Sequence, residues 1–255
     1  MKCCLNSHQT NEYLLKADEI KITYADRHKL IDYVEKYPDK TIILDMKNYN
    51  GIIEWDDIKR YNIMCRNNFI IALNSLTYFD YCKKENIRFY WNFPVNTFYD
   101  LQALSKLGAE YAVIDAPLTH CMDKLAAIDI KIRVIPNVAF YAFIPREDGV
   151  CGSWIRPEDL ELYEPYVETI EFEDCDLKKE QALFRIYMEQ KKWPGDLEML
   201  ISNLKYPGVN RMIPRELTEK RMICGQRCQS GNSCQLCYRY LELANPELLS
   251  KYKTS

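Results

Sequence analysis

From about residue 19 onward the chain alternates short β-rich runs with amphipathic stretches, and few folds accept that order. Residues 19–24, 41–45, 69–74, 87–92, 111–115, 132–138 and 169–173 read as strands, built mostly from Ile, Val, Phe, Tyr and Thr. Between them, residues 28–36, 55–65, 75–84, 96–107, 119–128 and 178–190 keep helical spacing. Leu101, Leu104 and Leu107 hold that spacing up to Gly108, which reads as a helix C-cap. Pro157 opens a further helix at the position Pro favours. A short eighth strand is expected at 209–213, and a last helix at 238–243. Repeated βα units imply a parallel sheet covered by helices. Eight of them in 255 residues is the size of a TIM-type (β/α)8 barrel, irregular or incomplete in places. An open doubly wound sheet is the competing arrangement. No Pro/Gly/Ser-rich boundary splits the chain, so residues 1–255 read as one α/β barrel domain that includes a cysteine loop at 222–240.

Composition narrows the partners. The formal charge is −3, so the chain is no generic polyanion binder, and contact with RNA or DNA requires a local basic patch. Only 8 glycines are present, and neither a GxxxxGK nor a GxGxxG phosphate loop occurs. No apolar run is long enough to span a membrane, and residues 1–6 carry no signal-peptide core. The 11 cysteines are therefore expected to be reduced thiols in a cytoplasm. Cys65, Cys82 and Cys121 read as small buried apolar groups.

Each expected strand ends in a polar residue: Asp45, Asn74, Asn92, Asp115 and Asn137, with Glu171 and Glu173 on the strand at 169–173. Barrel active sites form at the carboxyl ends of strands, so this set predicts a polar pocket. Asp or Asn opening a turn is the bland reading of any one of them. Asp115 is the leading acid/base or nucleophile, desolvated by the apolar run before it, with Asp45 and Glu171 beside it as catalytic candidates. Asn74, Asn92 and Asn137 would bind substrate, and His120 lies near the same rim. The excursion at 141–156 carries Arg146, Trp154 and Arg156, residues suited to a phosphate and a stacked base.

Near the C-terminus, Cys224, Cys228, Cys234 and Cys237 pack four thiols into fourteen residues, with three and two residues inside the pairs. Four soft thiolates so spaced suit a tetrahedral metal or a cluster. The spacing does not choose between zinc and a 4Fe–4S cluster, and the loop contains no histidine.

Two resemblances follow from these motifs. Leu107-Gly108-Ala109, Ala112-Val113-Ile114-Asp115, Thr169-Ile170-Glu171-Phe172 and Cys234-Gln235-Leu236-Cys237-Tyr238-Arg239 resemble the collagenase-like peptidase family, which includes iron–sulfur proteins of RNA and ubiquinone hydroxylation. That likeness implies a barrel with a 4Fe–4S cluster on the cysteines. Cys234-Gln235-Leu236-Cys237-Tyr238-Arg239-Tyr240-Leu241 is also similar to the zinc loop of tRNA-guanine transglycosylase barrels, which implies strand-end aspartates and base exchange. Both likenesses imply chemistry on a nucleobase within RNA or DNA, either hydroxylation or a transferase reaction. The rival reading is a non-enzymatic, metal-stabilised barrel that docks a nucleic acid or a protein partner.

Overall fold

The structure, a computed structural model, describes residues 1–115, 118–137, 155–173, 175–201, 214–224 and 243. Eight strands run through it: β1 (Lys2–Asn6), β2 (Glu19–Thr23), β3 (Thr41–Asp45), β4 (Phe69–Leu73), β5 (Phe89–Val95), β6 (Tyr111–Ile114), β7 (Lys131–Val134) and β8 (Thr169–Glu171). All neighbours are parallel and follow chain order, and β1 pairs with β8, so the sheet closes on itself. The connections carry helices α1 (Asn11–Lys16), α2 (Leu30–Lys36), α3 (Trp55–Cys65), α4 (Phe79–Lys84), α5 (Phe98–Lys106), α6 (Met122–Leu125) and α7 (Leu160–Tyr163). After β8 come α8 (Leu177–Phe184), α9 (Leu197–Leu200) and α10 (Arg215–Met222). This is a TIM-type (β/α)8 barrel.

The seven strands expected from sequence are all present, but the remaining one lies at the other end of the chain. Lys2-Cys3-Cys4-Leu5-Asn6 forms β1, and the barrel closes through it. The segment carries no β-branched or aromatic residue, so local propensity is silent there. Its strand state comes from two neighbours, with Cys4 in register with Glu19 on one side and Glu171 on the other. The strand expected at 209–213 lies outside the described residues, and the barrel is complete without it. Tyr24, expected to end β2, instead opens a 3₁₀ turn, Tyr24–Lys29.

Two apolar layers hold the molecule together. The larger lies between the strands and the helices, with Ile20, Ile22, Leu44, Ile71, Leu73, Ala112 and Ile170 facing Leu14, Leu30, Ile58, Leu101 and Leu183. The smaller fills the barrel itself: Cys4, Ile43, Ile70, Ala72, Tyr90, Tyr111, Val113 and Ile135. Strand residues of alternate parity face the two layers, as a pleated strand requires. Caps set where helices begin and stop. Thr97 Oγ1 accepts from the Asp100 amide at 3.0 Å to start α5, and Asp176 Oδ1 accepts from Lys179 at 2.8 Å to start α8. Gly108 ends the α5 segment with a φ of 83°, a left-handed value that costs other residues more. No helix among the described residues is long and apolar enough to cross a membrane.

Candidate active site at the carboxyl mouth of the barrel

The inner face of this barrel departs from the branched aliphatic filling typical of the fold. Glu19 and Lys21 alternate with Ile20 and Ile22 along β2, so the parity that buries the isoleucines under the helices sends both charges inward. Arg133 of β7 and Glu171 of β8 join them. Arg133 Nη1 lies 2.7 Å from Glu19 Oε2, and its Nη2 lies 3.3 Å from Glu171 Oε2. Lys21 Nζ donates to the same Glu171 oxygen at 2.7 Å. All four residues are buried. The guanidinium stacks over Tyr90 and Tyr111, 4.8 and 5.3 Å from the ring centroids.

Two acids and two bases balance, which is what makes such burial tolerable. Burial pushes the Glu171 carboxyl up, but Lys21 and Arg133 outweigh it and bring it down to about 2. Burial opposes the charge on Lys21, yet Glu171, then Tyr90 and Asp45, hold its ammonium above the ordinary lysine value. At neutral pH both groups are therefore ionised.

A second polar tier sits nearer the mouth. Lys47 Nζ pairs with Glu173 Oε2 at 2.6 Å. Burial is the main cause that lifts the Glu173 carboxyl above its usual range, against the pull of Lys21 and Lys47. Asp45 Oδ1 accepts from the Lys47 amide at 2.8 Å and from Asn92 Nδ2 at 2.6 Å. Four buried polar atoms in this region have no hydrogen-bond partner: Tyr90 Oη, Asn92 Oδ1, Glu171 Oε1 and Arg133 Nε. Buried polar atoms are ordinarily satisfied, so orphans clustered in one place mark where a ligand belongs.

Of the residues singled out from sequence, Asp45, Asn92 and Glu171 meet here. Asn137 and Asn74 reach the same rim but brace it. Asn137 exchanges two bonds with the Glu173 backbone, at 2.7 and 3.1 Å. Asn74 Nδ2 donates to the carbonyls of Met46 and Tyr49 at 2.6 and 3.1 Å, holding the loop after β3. Asp115 ends β6 and is buried, and its carbonyl accepts from Leu118 and Thr119 at 2.8 and 3.3 Å.

Two residues expected to touch substrate are committed elsewhere. His120 is wholly buried in the turn on which α10 packs, and burial and then Arg221 hold its imidazole neutral, well below the usual pKa. Arg156 is buried and doubly bonded to Asp159, at 2.8 and 3.0 Å, and Thr218 of α10 reaches the same carboxylate at 3.1 Å. The Asp159 carboxylate, oriented by Arg156, ties this segment to α10. Arg146 and Trp154 lie outside the described residues, as do Cys228, Cys234 and Cys237. Cys224 is half-buried just past α10. Among the described residues no three His, Cys, Asp or Glu side chains are grouped to hold a metal ion.

Sequence reasoning passed over Lys21, Arg133, Glu19, Tyr90 and Lys47. The signal was present in β2, where charges at every second position of a strand buried on both faces have nowhere to go but the barrel interior.

No family model matches the chain. No curated protein matches it either. Among solved structures it is similar to 3-keto-L-gulonate-6-phosphate decarboxylase from Vibrio cholerae, at 14% identity and a TM-score of 0.41, over 76% of this chain and 100% of that one. It is also similar to a glycerol uptake operon antiterminator-related protein from Thermotoga maritima, at 13% identity and a TM-score of 0.41, over 67% of this chain and 93% of that one. Likeness at this level carries no argument about chemistry.

Proposed function

We propose that this barrel is an enzyme that moves protons on a small polar substrate held in its carboxyl mouth. The observation that carries the reading is a pair of glutamates two residues apart, Glu171 at the end of β8 and Glu173 just beyond it, each bonded to its own lysine. Glu171 is locked as a carboxylate by Lys21 and Arg133. Glu173, nearer the mouth, is held closer to neutral pH by burial. Carboxyls whose environments drive them apart take different roles. Glu173 is the acid/base that exchanges a proton with the substrate, and Lys47 sets its charge. Lys21, kept cationic by Glu171, faces the developing negative charge and stabilises it. Tyr90 Oη and Asn92 Oδ1 orient the bound molecule.

A nucleobase in RNA or DNA is the substrate the sequence motifs favour. The amide and carboxylate of Asn92 and Asp45 support it, because such groups read the polar edge of a base. Hydroxylation or base exchange on that base, with zinc or a 4Fe–4S cluster on the four cysteines, is the fuller form of the same proposal. The alternative, a metal-stabilised barrel that only binds a nucleic acid or protein, leaves the buried charges at the mouth without a purpose.

The test is hydrogen exchange. A panel of nucleosides and small carbonyl compounds is incubated with the protein in heavy water and read by NMR. The wild type should label a carbon-bound position in at least one compound, and Glu173→Gln should slow labelling by roughly 10²–10⁴-fold. Labelling that persists at the wild-type rate in Glu173→Gln removes the proposed role of that residue.

A further inference from the structure

We propose that Asp45 and Asn92 form a two-acceptor edge that grips a planar group with adjacent N–H donors, an amidine or guanidinium. The inference rests on the reading of the mouth as a substrate site and deepens it by naming what the substrate must present.

The hydrogen bonds of Asp45 and Asn92 set the orientation of both side chains. Asn92 Nδ2 is 2.6 Å from Asp45 Oδ1. A carboxylate can only accept, so the carboxamide cannot be turned round, and Asn92 Oδ1 must point away. That oxygen is buried on a residue only 1% exposed, and it has no partner. Asp45 Oδ1 is already saturated by Asn92 and by the Lys47 amide at 2.8 Å, which leaves Oδ2 for a ligand. Asp45 is half-buried, so Oδ2 is reachable from the mouth. Two planar groups, locked to each other by a hydrogen bond, therefore each offer one acceptor. A rigid fork of N–H donors matches that arrangement, whereas an ammonium offers three donors but no planar pair set in parallel.

Charge points the same way. Across the mouth and the network beneath it, Glu19, Asp45, Glu171 and Glu173 face Lys21, Lys47 and Arg133, four carboxylates against three cations. Glu171 Oε1 is a third buried acceptor without a partner. A phosphate or carboxylate placed against Asp45 Oδ2 and Asn92 Oδ1 would meet acceptors of its own kind. A donor-rich, neutral or cationic group meets complementary atoms.

Two sources carry this chemistry, a nucleobase with an amidine edge and a free guanidinium compound. Calorimetric titration of the full chain separates them. Guanosine is compared with inosine, which lacks the second donor, and agmatine with 1,5-diaminopentane, which lacks the fork. At least one fork-bearing probe should bind at least about tenfold more tightly than its control. Asn92→Leu should abolish that preference. Asp45→Asn keeps the shape of the site should the leucine variant fail to fold, and should weaken binding about tenfold or more. Equal binding of probe and control, no binding by either probe, or unchanged affinity in Asp45→Asn would overturn the proposal. Glu173→Gln separates the two readings, because it should keep the preference for the fork-bearing probe over its control while losing exchange. Probe binding without any exchange chemistry would sink the catalytic role alone, and exchange without fork preference would sink the edge alone.

Discussion

Lys21 shows how one side chain answers to two demands. Inside a barrel its charge is tolerable only because Glu171 lies 2.7 Å away and Arg133 completes the network. Lys21→Met should destabilise the protein by about 3–5 kcal/mol, because it leaves two buried carboxylates, Glu19 and Glu171, to share the single Arg133 guanidinium. Adding Glu171→Leu should recover part of that loss. Urea unfolding of the two variants checks both statements. Acid dependence has a definite sign here. The folded pKa of Glu171, about 2, lies below the ordinary glutamate value of 4.5, so its stabilising contribution is present above about pH 4.5. It drains away as pH falls from there toward 2. Glu173 and Glu180 are shifted upward by burial, so their contributions run the other way and are lost as pH rises through their folded values. Wild type should therefore lose stability below about pH 4.5, and the double variant should lose less over the same interval. An identical acid limb in both would contradict this assignment.

At the scale of elements, local chemistry and neighbours share control in different proportions. Helix α5 was legible because Thr97, the leucine spacing and Gly108 state its start, face and stop. Removing the cap should show it: Thr97→Ala is expected to cost about 1 kcal/mol, measurable as a lower urea midpoint, with the ion network untouched. Strand β5 was legible only in part. Its register with β6 shifts between Trp91 and Val95, a stretch that contains Pro94, which cannot donate to a ladder. The strand therefore runs three residues beyond Asn92, where the β pattern had ended. Strand β1 was not legible at all. Its two cysteines carry no strand signal, yet Cys4 is barrel filling whose thiol burial pushes well above the usual pKa.

The whole molecule is a ring, and a ring depends on its least conspicuous segment. Deleting residues 1–6 removes the strand that joins β2 to β8 and exposes two sheet edges. It also removes Asn6, whose amide and side chain both bond to Glu180 of α8, at 3.1 and 2.7 Å. The truncated chain should lose cooperative unfolding and self-associate on gel filtration. A monomer with an unchanged transition would show that closure contributes little. The same ring explains why Asp45, Asn92 and Glu171, up to 126 positions apart in the chain, reach one mouth.

The sequence alone determined the order of strands and helices from residue 19 onward, the parallel sheet, and the fact that polar residues gather at strand ends. Those properties follow from period, capping and parity, which are local. The tertiary structure decided which of those residues face one another. Closure turned Glu19, Lys21, Arg133 and Glu171 into a buried network and left Asn92 and Glu171 each with an unsatisfied oxygen. The same packing sent His120 and Arg156 beneath α10. The reason is physical: hydrogen bonding and desolvation depend on distances of a few ångströms between distant parts of the chain, and only a closed sheet fixes those distances.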